Sequence, residues 1–245
     1  MYFLRFYVFL SSVVYVYLLK EDGDEDLCSL LKGFKPSVSV ELRNKGFHRE
    51  VVTSVELGSE APGDVRALLV YTWPRGVYLD PNQLASLRDL RDWQMLFNTT
   101  IDLEEPAQRT SAFLTYVYPP QTGPSPGPLT VTIPVHGRYH KPSFDGKSFT
   151  PVHIELPELL LWTEKCTPFQ RLEPHRLLDA PCNASNTSIC SWIQIQHTHK
   201  NSKPLSLHLP VGDGSAVTLV CAGTLLVTVI CCAVLCHSIL KHQIT

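Results

Sequence analysis

One stretch limits what this chain can be more than any other. Ala216–Leu240, AVTLVCAGTLLVTVICCAVLCHSIL, runs for 25 residues without Asp, Glu, Lys or Arg. A bilayer core of ~30 Å needs ~20 helical residues, so the segment is long enough to span a membrane with tilt to spare. A soluble helix of that length is expected to show a polar face. A glycolipid-anchor signal would instead put a polar spacer between small attachment-site residues and a shorter apolar tail. Here the apolar run starts immediately at the small residues Gly212, Gly214, Ser215 and Ala216, which favours a span.

The opposite end is also apolar. Met1–Lys20, MYFLRFYVFLSSVVYVYLLK, has one early cation, Arg5, and an uncharged run from Phe6 to Leu19. That is the layout of a secretory signal peptide; an uncleaved signal anchor is the alternative, because no small-x-small cleavage pattern follows. The expected organisation is a signal peptide over 1–20, a lumenal domain over 21–215, a transmembrane helix over 216–240 and a cytosolic tail over 241–245. Lys241 and His242 agree with positive-inside. Two membrane-directed ends explain why only 18% of the residues are charged, against the usual quarter. A net charge of −2 supplies no basic field for a phosphate backbone and argues against nucleic-acid binding.

The remaining 195 or so residues suffice for one good core or two small ones. Three N-glycosylation acceptors lie among them, at Asn98, Asn183 and Asn186. Four of the eight cysteines do too: Cys28, Cys166, Cys182 and Cys190. An even number in an oxidising compartment suggests disulfides, and four cysteines allow three pairings. Cys182 with Cys190 is favoured because they bracket one short Asn/Ser-rich loop; Cys28 with Cys166 would follow. Cys221, Cys231, Cys232 and Cys236 fall in the apolar helix.

The middle reads as mainly β. Val38, Val40 and Leu42 alternate with polar residues, as do Val51, Thr53, Val55 and Leu57. Ala67–Thr72, Ala112–Tyr118, Leu129–Val135, Val152–Leu156 and Ser191–His197 are short β-branched or aromatic runs, many bounded by proline, including Pro151. One helix is expected from Asp80 to Asp92, with Asp80 as cap, Pro81 in the first turn and Leu84, Leu87 and Leu90 on one face. The fold class is an antiparallel, sandwich-like lumenal domain plus one C-terminal transmembrane helix.

Catalytic signatures are missing: there is no GxGxxG, Walker loop, HExxH or GxSxG. Asp22-Gly23-Asp24 and Asp24-Glu25-Asp26 match a DxD pattern, but they sit in a run of five acids that reads as solvated. No cofactor or metal site is expected. His136, Arg138, Tyr139 and His140 form the most unusual local cluster, between Pro134 and Pro142. In an extended strand the two histidines lie ~13 Å apart, too far for one metal; with Arg and Tyr favoured as interface anchors, the cluster reads as a partner contact. In the apolar helix, Thr218, Ala222 and Gly223 form a small-residue patch of the kind that lets helices approach closely in lipid; a plain lipid-facing anchor is the alternative.

Several blocks resemble a known family. Lys45-Gly46-Phe47-His48-Arg49, Gly76-Val77-Tyr78-Leu79-Asp80-Pro81, Pro134-Val135-His136 with Arg138-Tyr139-His140, Ala180-Pro181-Cys182, Ile189-Cys190-Ser191-Trp192 and Val211-Gly212 occur in the order found in PIG-X proteins. Relatives carry Cys where this chain has Gly137, and further cysteines upstream. The resemblance implies a type I endoplasmic-reticulum membrane protein. It also implies a non-catalytic, stabilising subunit of glycosylphosphatidylinositol mannosyltransferase I, which adds the first mannose to the anchor precursor. The implied partner is the multi-span catalytic subunit, PIG-M. The competing reading from composition alone is a single-pass adhesion or receptor ectodomain.

Overall fold

The computed structural model describes residues 35–58, 65–87, 91–120, 127–163, 176–195, 197–199 and 205–243. The N-terminal apolar segment, the acidic run and both Cys28 and Cys166 lie outside these residues.

Alternation builds the first sheet. In β1 (Ser37–Arg43) Val38 and Val40 point inward, and in β2 (His48–Glu56) Val51, Thr53 and Val55 do so. These strands pair antiparallel, Val38 opposite Val55 and Leu42 opposite Val51. β2 then pairs with β7 (Leu129–Gly137), in which Leu129, Val131, Ile133, Val135 and Gly137 alternate inward at period two. β4 (Val77–Tyr78) covers only the last two residues of β7, and β12 (Thr198–His199) joins β1 in parallel. Pro134 therefore needs to satisfy the ladder on the β2 side alone, which is where proline is tolerated in a sheet.

The second sheet has the order β10-β11-β9-β3-β6-β5, formed by β3 (Arg66–Trp73), β5 (Gln94–Phe97), β6 (Phe113–Tyr118), β9 (Glu158–Trp162), β10 (Arg176–Asn183) and β11 (Asn186–Gln194). Its strands pair antiparallel. β8 (Phe149–Ile154) and β13 (Leu205–Pro210) make an antiparallel two-stranded ribbon.

One core joins all three. Val38, Val51, Val131 and Ile133 of the first sheet meet Leu69, Tyr71, Trp73, Val117 and Leu159 of the second, with Ile154, Leu207 and Leu209 of the ribbon closing it. The antiparallel sandwich is thus present, with a ribbon added. Two polar pairs are buried within it: Thr53 Oγ1 and Tyr71 Oη share a hydrogen bond of 2.6 Å, and the Trp73 indole donates to Thr115 Oγ1 at 2.8 Å. Burial pushes the Tyr71 phenol far up, against the opposing effect of the Thr53 bond, so it stays neutral. A smaller cluster of Leu68, Leu160, Ala180 and Trp192 lies on the other face of the second sheet. There Tyr118 of β6 donates to the Pro181 carbonyl of β10 at 2.8 Å, which brings the β10–β11 hairpin across that face.

The expected helix over 80–92 is much shorter. It is α1 (Pro81–Ser86), capped by Asp80, whose carboxylate accepts from Asn82 N at 2.8 Å, and ended at Leu87. Chain needed for β5 follows a few residues later, so the leucine spacing does not extend the helix. Pro151 was expected to bound a strand but lies inside β8, where it faces His208; a strand paired on one side can hold it. After Pro210 the chain passes through a 3-10 turn, Gly214–Ala216, into α2 (Val217–Gln243). At ~1.5 Å per residue, its 27 residues reach ~40 Å. None of the apolar window of this helix is buried against the rest of the chain.

Candidate functional site

The block at the end of β7 is brought together with three other segments. His136 faces His48 across the β2–β7 ladder, with Nδ1 to Nδ1 at 2.8 Å. Its Nε2 reaches Gln83 Oε1 of α1 at 2.8 Å, and the Tyr78 ring stacks on it at 5.0 Å. Both ring nitrogens are engaged, so His136 has no lone pair left for a base or a ligand. Burial lowers its pKa, the neighbouring His48 lowers it further, and Asp80 opposes both.

Arg138 corrects the expectation of a contact residue. It is only 5% exposed. Its two terminal nitrogens donate to the carbonyls of Glu105 and Asp102, both at 2.6 Å, and its guanidinium lies 5.0 Å over the Tyr78 ring. The side chain is consumed in fixing the 102–107 loop, a fork matched to two carbonyls. The Tyr139 carbonyl accepts from Ala107 N at 3.0 Å and closes the same loop. Tyr139 itself points outward, 76% exposed, with one edge against Phe47 at 5.2 Å between ring centres. His140 is half-buried beside Arg75; burial lowers its pKa first and the Arg75 charge second. Of the four residues, then, Tyr139 alone is fully exposed. Sequence patterning missed why: His48, Tyr78 and Gln83 supply the contacts, and nothing in local spacing shows that they converge.

The three expected glycosylation acceptors divide by setting. Asn98 is exposed at the end of β5, with its side-chain oxygen accepting from Leu114 N at 2.9 Å. Asn183 and Asn186 face each other at the tip of the β10–β11 hairpin, either side of the Ala184-Ser185 turn. Cys182 and Cys190 are joined by a disulfide within that hairpin, with a Cα–Cα separation of 5.0 Å.

On α2, Thr218, Ala222 and Gly223 lie exposed in the first two turns. The hydroxyls of Thr224 and Thr228 donate to the carbonyls of Val220 and Thr224, each at 2.8 Å, and so are satisfied within the helix. The four cysteines of α2 are free and exposed. Among the described residues no group of three or more His, Cys, Asp or Glu comes close enough to hold a metal ion.

The site therefore consists of an outward aromatic, a braced loop and an apolar helix with a small-residue patch. The sequence model of the family described as PIG-X / PBN1 matches residues 44–240, from the β1–β2 turn through nearly all of α2. A human protein named GPI alpha-1,4-mannosyltransferase I, stabilizing subunit, is 29% identical over 208 residues, covering 82% of this chain and 79% of its own. Proteins of the same name from Rattus norvegicus and Mus musculus are 29% and 28% identical, covering 82% of this chain and 81% and 80% of theirs. Because the match takes in the sheets, the braced block and the apolar helix together, the chain belongs to the PIG-X / PBN1 family.

Proposed function

We propose that this chain is the stabilising, non-catalytic subunit of the endoplasmic-reticulum mannosyltransferase that adds the first mannose to the glycosylphosphatidylinositol precursor. The observation that carries this is the family match across both the sheet domain and the helix, with relatives named as the stabilizing subunit of that enzyme. The same match favours this reading over an adhesion or receptor ectodomain. The catalytic partner is a multi-span membrane protein, PIG-M, and the chain is a type I membrane protein with its sheet domain in the lumen. Its contribution is binding free energy. A subunit that binds only the folded catalytic chain raises that chain's folded fraction by mass action. Marginal stability then converts a small free-energy gain into abundance.

The test is depletion of this protein in its own cells, followed by blotting for the catalytic subunit. The expected result is a several-fold fall in its steady-state level, restored by the full chain. Unchanged abundance with lost transfer would instead give this chain a direct role in the reaction.

A further inference from the structure

The end of the sandwich nearest α2 carries a basic cavity of about 510 Å³, lined by Arg75, His140, Lys141, Lys147, Phe149 and Val211 among others. Its position is fixed by the backbone. Val211 stands three residues before the turn that starts the apolar helix, and its N–H donates to the Ser148 carbonyl at 3.0 Å. Ser143 N donates to Gly212 O at 2.8 Å and Gly214 N donates to Ser143 O at 2.7 Å. The 141–149 loop is thereby laced to the first residues of the helix. The Phe144 ring sits so close over Gly214 that a Cβ there would come within 2.7 Å of it.

Charge and polarity at this end are uneven. Asp145 also lines the cavity, but it is already bonded to Lys147 at 2.5 Å and to the Ser143 hydroxyl, and those two bonds hold its carboxyl at about 2. Lys147 is thus neutralised, whereas Arg75 and Lys141 have no ion-pair partner among the described residues. Phe149, which lines the cavity with these two cations, is 56% exposed, and Phe144, over Gly214 at the start of the helix, is 81% exposed. Free cations next to outward aromatics, at the foot of a membrane helix, are the arrangement that suits the boundary between lipid headgroups and acyl chains.

We infer that this cavity binds the phosphate of an anionic membrane lipid, with Arg75 and Lys141 facing the headgroup and Phe144 and Phe149 set against the upper acyl chains. The inference rests on α2 spanning the membrane. A lipid is favoured over a free anion because the aromatic flank and the helix adjoin the cations, and free phosphate has no use for either.

The full chain, purified and placed in phosphatidylcholine nanodiscs containing a minor fraction of phosphatidic acid, tests it by native mass spectrometry of the lipids retained. Phosphatidic acid should be enriched over its share of the disc. Arg75→Gln with Lys141→Gln should lower that enrichment by about tenfold. Phe144→Ser with Phe149→Ser should lower it without changing the charge. Arg66→Gln, at the far end of β3, removes a charge away from the site and should leave it unchanged. Melting temperature, measured in each disc, shows that the variants remain folded. Equal retention of both lipids, or an equal loss in the Arg66 variant, overturns the site. Displacement of phosphatidic acid by millimolar inorganic phosphate overturns the lipid as the ligand. Failure of the chain to enter discs at all overturns the membrane reading itself, and with it the site; entry without enrichment overturns the site alone.

Discussion

At the scale of single residues, two positions at the end of β7 carry consequences that can be measured. A Cβ on Gly137 would lie 2.5 Å from Leu209 Cδ2 and 3.0 Å from the Phe47 ring. Gly137→Ala should destabilise the sheet domain by about 1–3 kcal/mol through overpacking, and Leu209→Val, which removes the offending carbons, should recover much of that loss. Denaturant melts of the two single variants and the double variant check it; additive losses would mean that Leu209 is not the obstacle. The histidines give a pH dependence. His136 and His140 both have folded pKa values below the ordinary 6.5, chiefly through burial. The unfolded chain therefore takes up protons first as pH falls through 6.5, and stability contributed by the neutral rings is lost from there downward. The melting temperature should drop between pH 7.5 and 5.5, and His136→Gln should flatten part of that drop. At this scale the sequence singled out the block at the end of β7 but not the contacts its side chains make. Arg138 is hidden by contacts with carbonyls 33 and 36 residues away, which no local pattern contains.

At the scale of elements, legibility followed burial on one face. Strands with clean alternation, such as β1, β6 and β7, were readable because period two survives when one side meets the core. β9 was not, since Leu159, Leu160 and Leu161 are buried on both faces and show no alternation. β4 and β12, at two residues each, exist only because a longer strand offers an edge. The β10–β11 hairpin is the element whose stability is most open to test. Its disulfide spans 8 residues of sequence, for which loop entropy gives at most about 2–3 kcal/mol. The hairpin is also held by its ladder and by Trp192, whose indole donates to the Ala180 carbonyl at 3.3 Å. Cys182→Ala with Cys190→Ala should therefore leave the domain folded but raise amide exchange across Arg176–Gln194. A global loss of protection would instead make the hairpin part of the cooperative core.

At the scale of the whole molecule, the interesting features gather where the sandwich meets the apolar helix. The braced block, the outward Tyr139 and the start of α2 all lie toward that end, because Gly137 packs on Leu209 and Leu209 is five residues before Gly214. Farther along α2 the hydroxyls of Thr224 and Thr228 are internally bonded, and from there to Cys236 the sequence is apolar on every face, with His237 and Ser238 polar only near the far end. A helix face of that kind offers a partner in lipid little beyond what lipid already offers, whereas small residues allow close packing. Recognition of the catalytic subunit should accordingly concentrate in the first two turns. Thr218→Leu, Ala222→Leu and Gly223→Leu together should reduce co-purification from mild detergent several-fold and lower the catalytic subunit's abundance. Cys231→Leu, Cys232→Leu and Cys236→Leu together, an equal number of changes deeper in the helix, should do neither. If the deeper set were equally damaging, the whole helix would be the recognition element, and the sheet domain would serve only as its cap. If neither set mattered, the sheet domain would carry the contact and α2 would be an anchor. The expected result lies between these, since a sandwich laced to the helix at Ser143 and Gly212 presents both surfaces as one.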